Sequence, residues 1–84
     1  MTCMNEEDLL LVAQARADAK SGRAREIRRA AGVSQAEVAG TCRVAPAAVS
    51  LWETGHRVPR GQPAVRYGRV LRMLDAGNTR REAA

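Results

Sequence analysis

Arginine is the residue type in this sequence with the clearest binding chemistry. Thirteen of the fourteen cationic side chains are Arg, and the formal net charge is +5. The planar guanidinium donates hydrogen bonds in a fork that matches phosphate oxygens and guanine edges. Residues 23–84 hold twelve basic and five acidic side chains, whereas residues 1–22 hold two and four. This imbalance predicts a polyanionic partner; a solvated surface enriched in Arg by codon bias is the alternative.

The other reactive side chains do not form a pattern typical of catalysis or metal binding. Cys3, Cys42 and the single His56 are too few and too widely spaced for a disulfide framework or a zinc site. No nucleophile, base and acid occur at plausible spacing, so neither an enzyme nor a cofactor is predicted. Cys42 is interpreted as a buried small hydrophobe, with redox sensing as the alternative.

The length of 84 residues predicts one domain with one core. Because Trp52 and Tyr67 are the only aromatic residues, that core must be built from Ala, Val and Leu, which favours short helices in close contact. The longest apolar run, residues 9–13, is far below the roughly 20 residues that span a bilayer. Acidic residues 6–8 precede it, where a signal peptide would be positive. A cytoplasmic protein without membrane association is expected.

Capping signals and apolar periodicity predict an all-α chain of five helices. Asn5 precedes three acidic residues, and Ser34 and Glu37 match a capping box, so these positions begin the first and third helices. Prolines are expected at the start of the fourth and fifth helices, and glycines just past the ends. The predicted spans are residues 5–20, 23–31, 34–42, 45–54 and 63–76.

The sequence makes separate predictions for the two ends of the chain and for one loop. Residues 9–12 cover a wider arc than one apolar stripe, so residues 1–22 are predicted to form an N-terminal helix with a dimer or partner surface. The loop over residues 55–62 is polar and is expected to pack poorly. Gly77 is expected to end the fifth helix, which leaves residues 77–84 as a flexible tail.

The third and fourth predicted helices carry small and apolar residues at spacings that indicate a steep crossing over a tight turn. These residues are Val38, Ala39, Cys42, Val44, Val49 and Trp52. Together with the segments SQAEVA and VSLWETG and the following Pro59, they resemble the XRE family of helix-turn-helix DNA-binding proteins, of the phage Cro and repressor type. The resemblance covers about residues 24–74. It implies a five-helix lambda-repressor-like fold, in which the DNA-binding domain lies at residues 23–76, the helix-turn-helix at 34–54, and the first helix is an additional N-terminal helix.

The resemblance implies a transcription regulator that binds a pseudo-palindromic operator in double-stranded DNA as a homodimer, with the fourth helix in the major groove. It maps the family's phosphate-contacting Gln onto Gln35, for which a solvated first-turn residue is the alternative. It also maps a buried ion pair onto Arg28 and Glu53. The loop after the recognition helix faces the DNA backbone in this family, although a mobile charged loop is the alternative. The arginines predicted to contact phosphates are Arg43, Arg57 and Arg60, whereas Arg66, Arg69 and Arg72 are expected to form a solvated face.

The sequence departs from the family in the turn and in the recognition helix. Arg43 stands where most members have Gly, so a residue with a Cβ must adopt the left-handed or a nearby conformation at some cost. Ala45 replaces the usual Ser or Thr cap, which leaves amide groups for water or a phosphate. Long polar side chains are missing from the base-contacting positions, so contacts to thymine methyls are expected there instead of bidentate hydrogen bonds. The outward positions are Pro46, Ala47, Ser50 and Leu51.

Two other functions fit the same scaffold. An antitoxin-like or adaptor protein would use the N-terminal helix to bind a protein partner, and the apolar recognition helix is compatible with that role. An accessory factor that bends DNA is the third hypothesis. The sequence does not decide whether a dimer forms through the N-terminal helix or through the end of the fifth helix.

Overall fold

A computed structural model describes residues 4–83, so Cys3 lies outside the described residues. Within this range the chain forms five α-helices and no strand, which confirms the predicted all-α fold. The helices are α1 (Glu6–Ser21), α2 (Arg23–Ala31), α3 (Gln35–Cys42), α4 (Pro46–Glu53) and α5 (Gly61–Ala83). The bounds of α1 to α4 agree with the predicted spans to within one residue. None of the helices in the described part is long and apolar enough to cross a membrane.

Local hydrogen bonds explain where α1 and α3 begin. The Asp8 amide donates to Asn5 Oδ1 at 2.8 Å. The Glu37 amide donates to Ser34 Oγ at 3.0 Å, and the Ser34 amide donates to Glu37 Oε1 at 2.9 Å, so the capping box is complete. Hydrogen bonds from the backbone and side chain of Ser34 hold the pKa of Glu37 below its ordinary value. Each cap satisfies helix-end amides that have no partner within the helix.

The main core lies where α3 and α4 cross, and α1, α2 and α5 also contribute buried side chains to it. Ala39 is almost fully buried, which lets the two helices approach closely, and Val44 packs against the core from the turn. The rings of Trp52 and Tyr67 lie 4.7 Å apart between centroids and are tilted by 38°. These two aromatic residues therefore fill the centre of a core that otherwise consists of small and aliphatic side chains. The predicted crossing over a tight turn is present.

A second contact fixes α1 against α5. Leu11 and Val12 are buried against the first turns of α5, whereas Leu9 and Leu10 remain exposed. At the closest approach, a Cβ atom on Gly68 would overlap the backbone carbonyl of Leu11. One side of the wide apolar arc of α1 thus packs against α5 of the same chain, and only the other side is exposed.

The helix α5 is longer than predicted at both ends. It begins at Gly61, two residues before Pro63, and it continues to Ala83. The prediction that Gly77 ends it is wrong, because a glycine within a helix costs only about 1 kcal/mol and a tertiary contact follows directly. Asn78 is buried, and its Nδ2 donates to the carbonyl oxygen of Ile27 in α2 at 3.1 Å. The predicted tail is therefore helical up to Ala83.

The loop over residues 55–60 is better packed than predicted. Pro59 is fully buried, and its carbonyl oxygen accepts a hydrogen bond from Arg16 Nε in α1 at 3.0 Å. The amides of His56 and Arg57 donate to the carbonyl oxygen of Leu51 at 3.0 and 3.2 Å. Contacts to α1 and α4 thus hold this polar loop in place.

Candidate nucleic-acid interface

The turn between α3 and α4 sets the crossing of these helices. Arg43 has φ 60° and ψ 44°, so it adopts the predicted left-handed conformation. The Val44 amide donates to the carbonyl oxygen of Ala39 at 3.0 Å, which closes the end of α3. The chain then enters α4 at Pro46, whose fixed φ suits a first helical position.

We expect Arg43→Gly to raise the free energy of unfolding by about 0.5–1 kcal/mol. The left-handed conformation costs an L-residue with a Cβ roughly 1–2 kcal/mol, and the greater freedom of Gly in the unfolded chain offsets part of the gain. Urea denaturation followed by circular dichroism measures the difference. Arg69→Gly, in an exposed part of α5, is the matched control and should lose about 1 kcal/mol. A less stable Arg43→Gly variant would contradict the argument.

The helix α4 buries one side and leaves the other open. Val49 and Trp52 lie in the core. The outward side, here called the recognition face, consists of the exposed Ala45, Pro46 and Ala47 and the half-buried Ser50 and Leu51. Its only polar side-chain group is the Ser50 hydroxyl. No side chain caps the N-terminus of α4. The Ala47 amide lies in the first turn, where no preceding helical carbonyl can accept its hydrogen bond.

A buried ion pair connects α2 to the end of α4, as the family resemblance predicted. Arg28 Nε donates to Glu53 Oε2 at 2.6 Å, and Arg28 Nη2 donates to Glu53 Oε1 at 3.1 Å. The same guanidinium donates through Nη1 to the carbonyl oxygen of Val33 at 2.9 Å. Gln35 Nε2 adds a hydrogen bond to Glu53 Oε1 at 3.0 Å. The Glu53 carboxylate therefore joins α2, α3 and α4 at one point.

Opposing effects act on the pKa of Glu53. Burial alone would raise it, but the hydrogen bonds from Arg28 and Gln35 and the charge of Arg28 bring it below its ordinary value. The hydrogen bond to Glu53 in turn raises the pKa of Arg28. Both groups are thus charged in the folded protein. Because Gln35 is half-buried and bonded to Glu53, it is not the solvated residue that was the alternative interpretation.

We expect Glu53 to make stability depend on acid pH. Its pKa is lower in the folded chain than the ordinary value of 4.5, so its stabilising contribution is complete above pH 4.5 and is lost as the pH falls through the folded pKa. Urea unfolding at pH 5, 4 and 3 should show a steeper decline for the wild type than for Glu53→Gln. Glu26→Gln, which changes an exposed carboxylate outside the ion pair and the capping box, should keep most of the decline. Equal slopes for the wild type and Glu53→Gln would refute this contribution.

Exposed arginines lie close to α4. The 55–60 loop runs beside Ala48 and Trp52 of α4 and forms a shallow groove with them, which Arg57 and Arg60 line from the loop. Arg43 is exposed in the turn that leads into α4. The structure thus brings Arg57 and Arg60 next to α4. The groove is lined by Val44, Ala48, Trp52, Gly55, His56, Arg57, Val58, Arg60 and Pro63.

Comparison with known protein families identifies the motif to which these helices belong. A family model described as a helix-turn-helix domain matches residues 21–84. The chain belongs to the helix-turn-helix family. Comparisons with curated proteins and with solved structures gave no match. Membership indicates a DNA-binding regulator, since the second helix of this motif lies in the major groove of DNA.

Two interactions that stabilise the helix-turn-helix domain were not apparent in the sequence. Arg66 Nε donates to the carbonyl oxygen of Cys42 at 3.0 Å, so Arg66 caps the end of α3 and does not belong to the predicted solvated face. Arg16, from outside the domain, holds the 55–60 loop through Pro59. These partners are 24 and 43 residues apart, and no local pattern links them.

The thiol of Cys42 lies in the core of the domain, as interpreted from the sequence. Cys42 is completely buried, and burial raises the pKa of its thiol to about 11. Since the thiolate is the reactive form, a neutral buried thiol is a poor redox sensor. Cys42 acts here as a packing residue between α3 and its neighbours.

Proposed function

We propose that this helix-turn-helix protein is a sequence-specific transcription regulator of the XRE family, of the Cro and repressor type, which binds double-stranded DNA. The proposal depends most on one observation: the outward side of α4 is open, and Arg57 and Arg60 line a groove along an adjacent side of the same helix. In such an arrangement α4 enters the major groove and the flanking arginines meet the phosphates. This geometry favours DNA over a purely protein ligand.

The proposed contacts divide into those that position and those that specify. Arg43, Arg57 and Arg60 neutralise phosphates, and the free amide end of α4 is open to another. The side chain of Gln35 is already bonded to Glu53. The phosphate contact of Gln35 is therefore assigned to its backbone amide, at the first position of α3. Base contacts come from the recognition face, Ala45, Pro46, Ala47, Ser50 and Leu51.

We propose that two copies bind a pseudo-palindromic operator. An eight-residue α4 with short side chains contacts few base pairs, so one copy binds weakly. Joining two copies makes the second binding event intramolecular and raises affinity without new contacts in each half-site. In the described part of the chain, the exposed large apolar side chains available for a dimer are Leu9 and Leu10 of α1, Val58 of the 55–60 loop and Met73 of α5.

We expect each phosphate-contacting arginine to contribute about −0.9 to the slope of log K against log salt concentration. Arg57→Ala and Arg60→Ala should each make the slope less negative by about that amount. The measurement is fluorescence anisotropy on a duplex selected from a random pool, at several salt concentrations. Arg69→Ala, an exposed arginine of α5, is the matched control and should leave the slope unchanged.

Two results would contradict this assignment. A slope near zero for the wild type would exclude a DNA role for the arginines as a group. An equal change in the slope for Arg69→Ala would mean that general charge, and not the position beside α4, determines binding.

An adaptor or antitoxin-like function is the second candidate, because α1 exposes Leu9 and Leu10, and most of α1 precedes the residues matched by the family model. A protein partner on α1 would cover this pair. Gel shift against random and genomic DNA separates the two functions, since an adaptor of this kind would not retard DNA. A circular-permutation bending assay would identify an architectural factor.

A further inference from the structure

The recognition face can distinguish few bases by hydrogen bonding. Ala45, Pro46, Ala47 and Leu51 carry no polar side-chain atom, and Ser50 carries one hydroxyl. A hydroxyl is both donor and acceptor, so it bonds equally to the O4 acceptor of thymine and the N4 donor of cytosine. Side chains of this kind do not distinguish thymine from cytosine through hydrogen bonds to the polar edges of the bases.

The two bases differ at a second point in the major groove. Thymine has a methyl group on C5, whereas cytosine has hydrogen there. Ala47 and Leu51 are four residues apart in α4, so they lie one above the other on one side of the helix, and both are accessible. An apolar surface of this kind gains free energy by covering a methyl group.

From these properties we infer that α4 distinguishes base pairs by the C5 methyl group of pyrimidines, with Leu51 as the principal contact, and that 5-methylcytosine can replace thymine in the bound site. This inference rests on the proposed DNA-binding function and specifies its ligand. Its consequence is regulatory: methylation of cytosine at C5 creates a contact for this surface, so the methylation state of the DNA controls occupancy. Leu51 is the largest apolar side chain on the recognition face, which is why it is assigned the main role.

The test uses a duplex selected by the wild-type protein from a random pool. Uracil first replaces each thymine in turn, which removes only the methyl group and identifies the contacted positions. At each of these positions the affinity should fall about fourfold, the factor that corresponds to burial of one methyl group. The same position is then changed to a C·G pair and to a 5-methylcytosine·G pair. Cytosine should bind about fourfold more weakly than thymine, and 5-methylcytosine should bind within twofold of thymine.

Protein variants show which side chain makes the contact. Leu51→Ala should reduce the ratio between 5-methylcytosine and cytosine from about fourfold to less than twofold. Arg69→Ala, at an exposed side chain of α5 to which no DNA or dimer contact is assigned, is the control and should keep the full ratio. Thermal unfolding and the salt dependence of binding, measured on both variants, separate loss of the contact from loss of the fold.

The outcomes are distinct from those for the proposed function. Binding that is equal for uracil and thymine, or for cytosine and 5-methylcytosine, would overturn this inference while DNA binding itself stands. A ratio that Leu51→Ala leaves at its full value would overturn the role of Leu51. Absence of binding to every duplex would refute the proposed function and this inference together.

Discussion

Replacement of Arg28 by Ala is expected to lower the free energy of unfolding by about 3–5 kcal/mol, the usual cost of leaving a buried charge without its partner. The Glu53 side chain is only 2% exposed and would retain only the hydrogen bond from Gln35. A chain of 84 residues has a total stability of about 8 kcal/mol, at roughly 0.1 kcal/mol per residue. The variant should therefore be close to half as stable as the wild type. Urea unfolding at pH 7, followed by circular dichroism, measures the loss.

The surface of the same molecule provides a matched control. Arg23 pairs with Asp75 at 2.8 Å, but the side chains are 52% and 42% exposed. Exposed pairs contribute about 0–1 kcal/mol, so Asp75→Ala, which removes this pair, should have a small effect. Similar losses for Asp75→Ala and Arg28→Ala would mean that the Arg28–Glu53 pair has no special structural role. The double variant Arg28→Met, Glu53→Met should recover most of the stability, since it removes both buried charges.

Features that depend on neighbouring residues could be predicted from the sequence. Asn5 and the Ser34–Glu37 pair lie within one turn of the amides that they cap, so the residue types alone indicate the start of α1 and α3. The left-handed conformation of Arg43 was predicted through the family resemblance, because most members have Gly at this position. The Arg28–Glu53 pair spans 25 residues and was predicted through the family resemblance, not from local chemistry.

Features that depend on how distant helices meet could not be predicted. Arg66, Arg16 and Asn78 each donate to a backbone carbonyl oxygen that lies 24 to 51 residues away along the chain. Any exposed polar residue at these positions would fit the sequence pattern equally well. The start and length of α5, and the order of the 55–60 loop, follow from such contacts. They shape the candidate site, because the loop that carries Arg57 and Arg60 is held to α1 by Arg16.

The largest steric effect is expected at Gly68, where α1 lies on α5. A Cβ at this position would overlap the backbone carbonyl of Leu11, and a backbone atom cannot turn aside as a side chain can. We expect Gly68→Ala to lose about 3 kcal/mol, at the upper end of the usual cost of overpacking, even though Ala favours a helix by about 1 kcal/mol over Gly. Thermal and urea unfolding measure the change.

Gly77→Ala in the same helix separates this steric effect from helix propensity. A Cβ on Gly77 would meet only the end of the Arg81 side chain, at 3.5 Å, so this variant should be up to about 1 kcal/mol more stable than the wild type. If Gly68→Ala were also neutral or stabilising, the close approach of α1 and α5 would be refuted.

Displacement of α1 should in addition release Pro59 from Arg16, because that hydrogen bond depends on the position of α1. Loosening of the 55–60 loop, detected as faster amide hydrogen exchange at His56 and Arg57 in Gly68→Ala but not in Gly77→Ala, would then connect the packing of α1 to the arginines proposed to contact DNA.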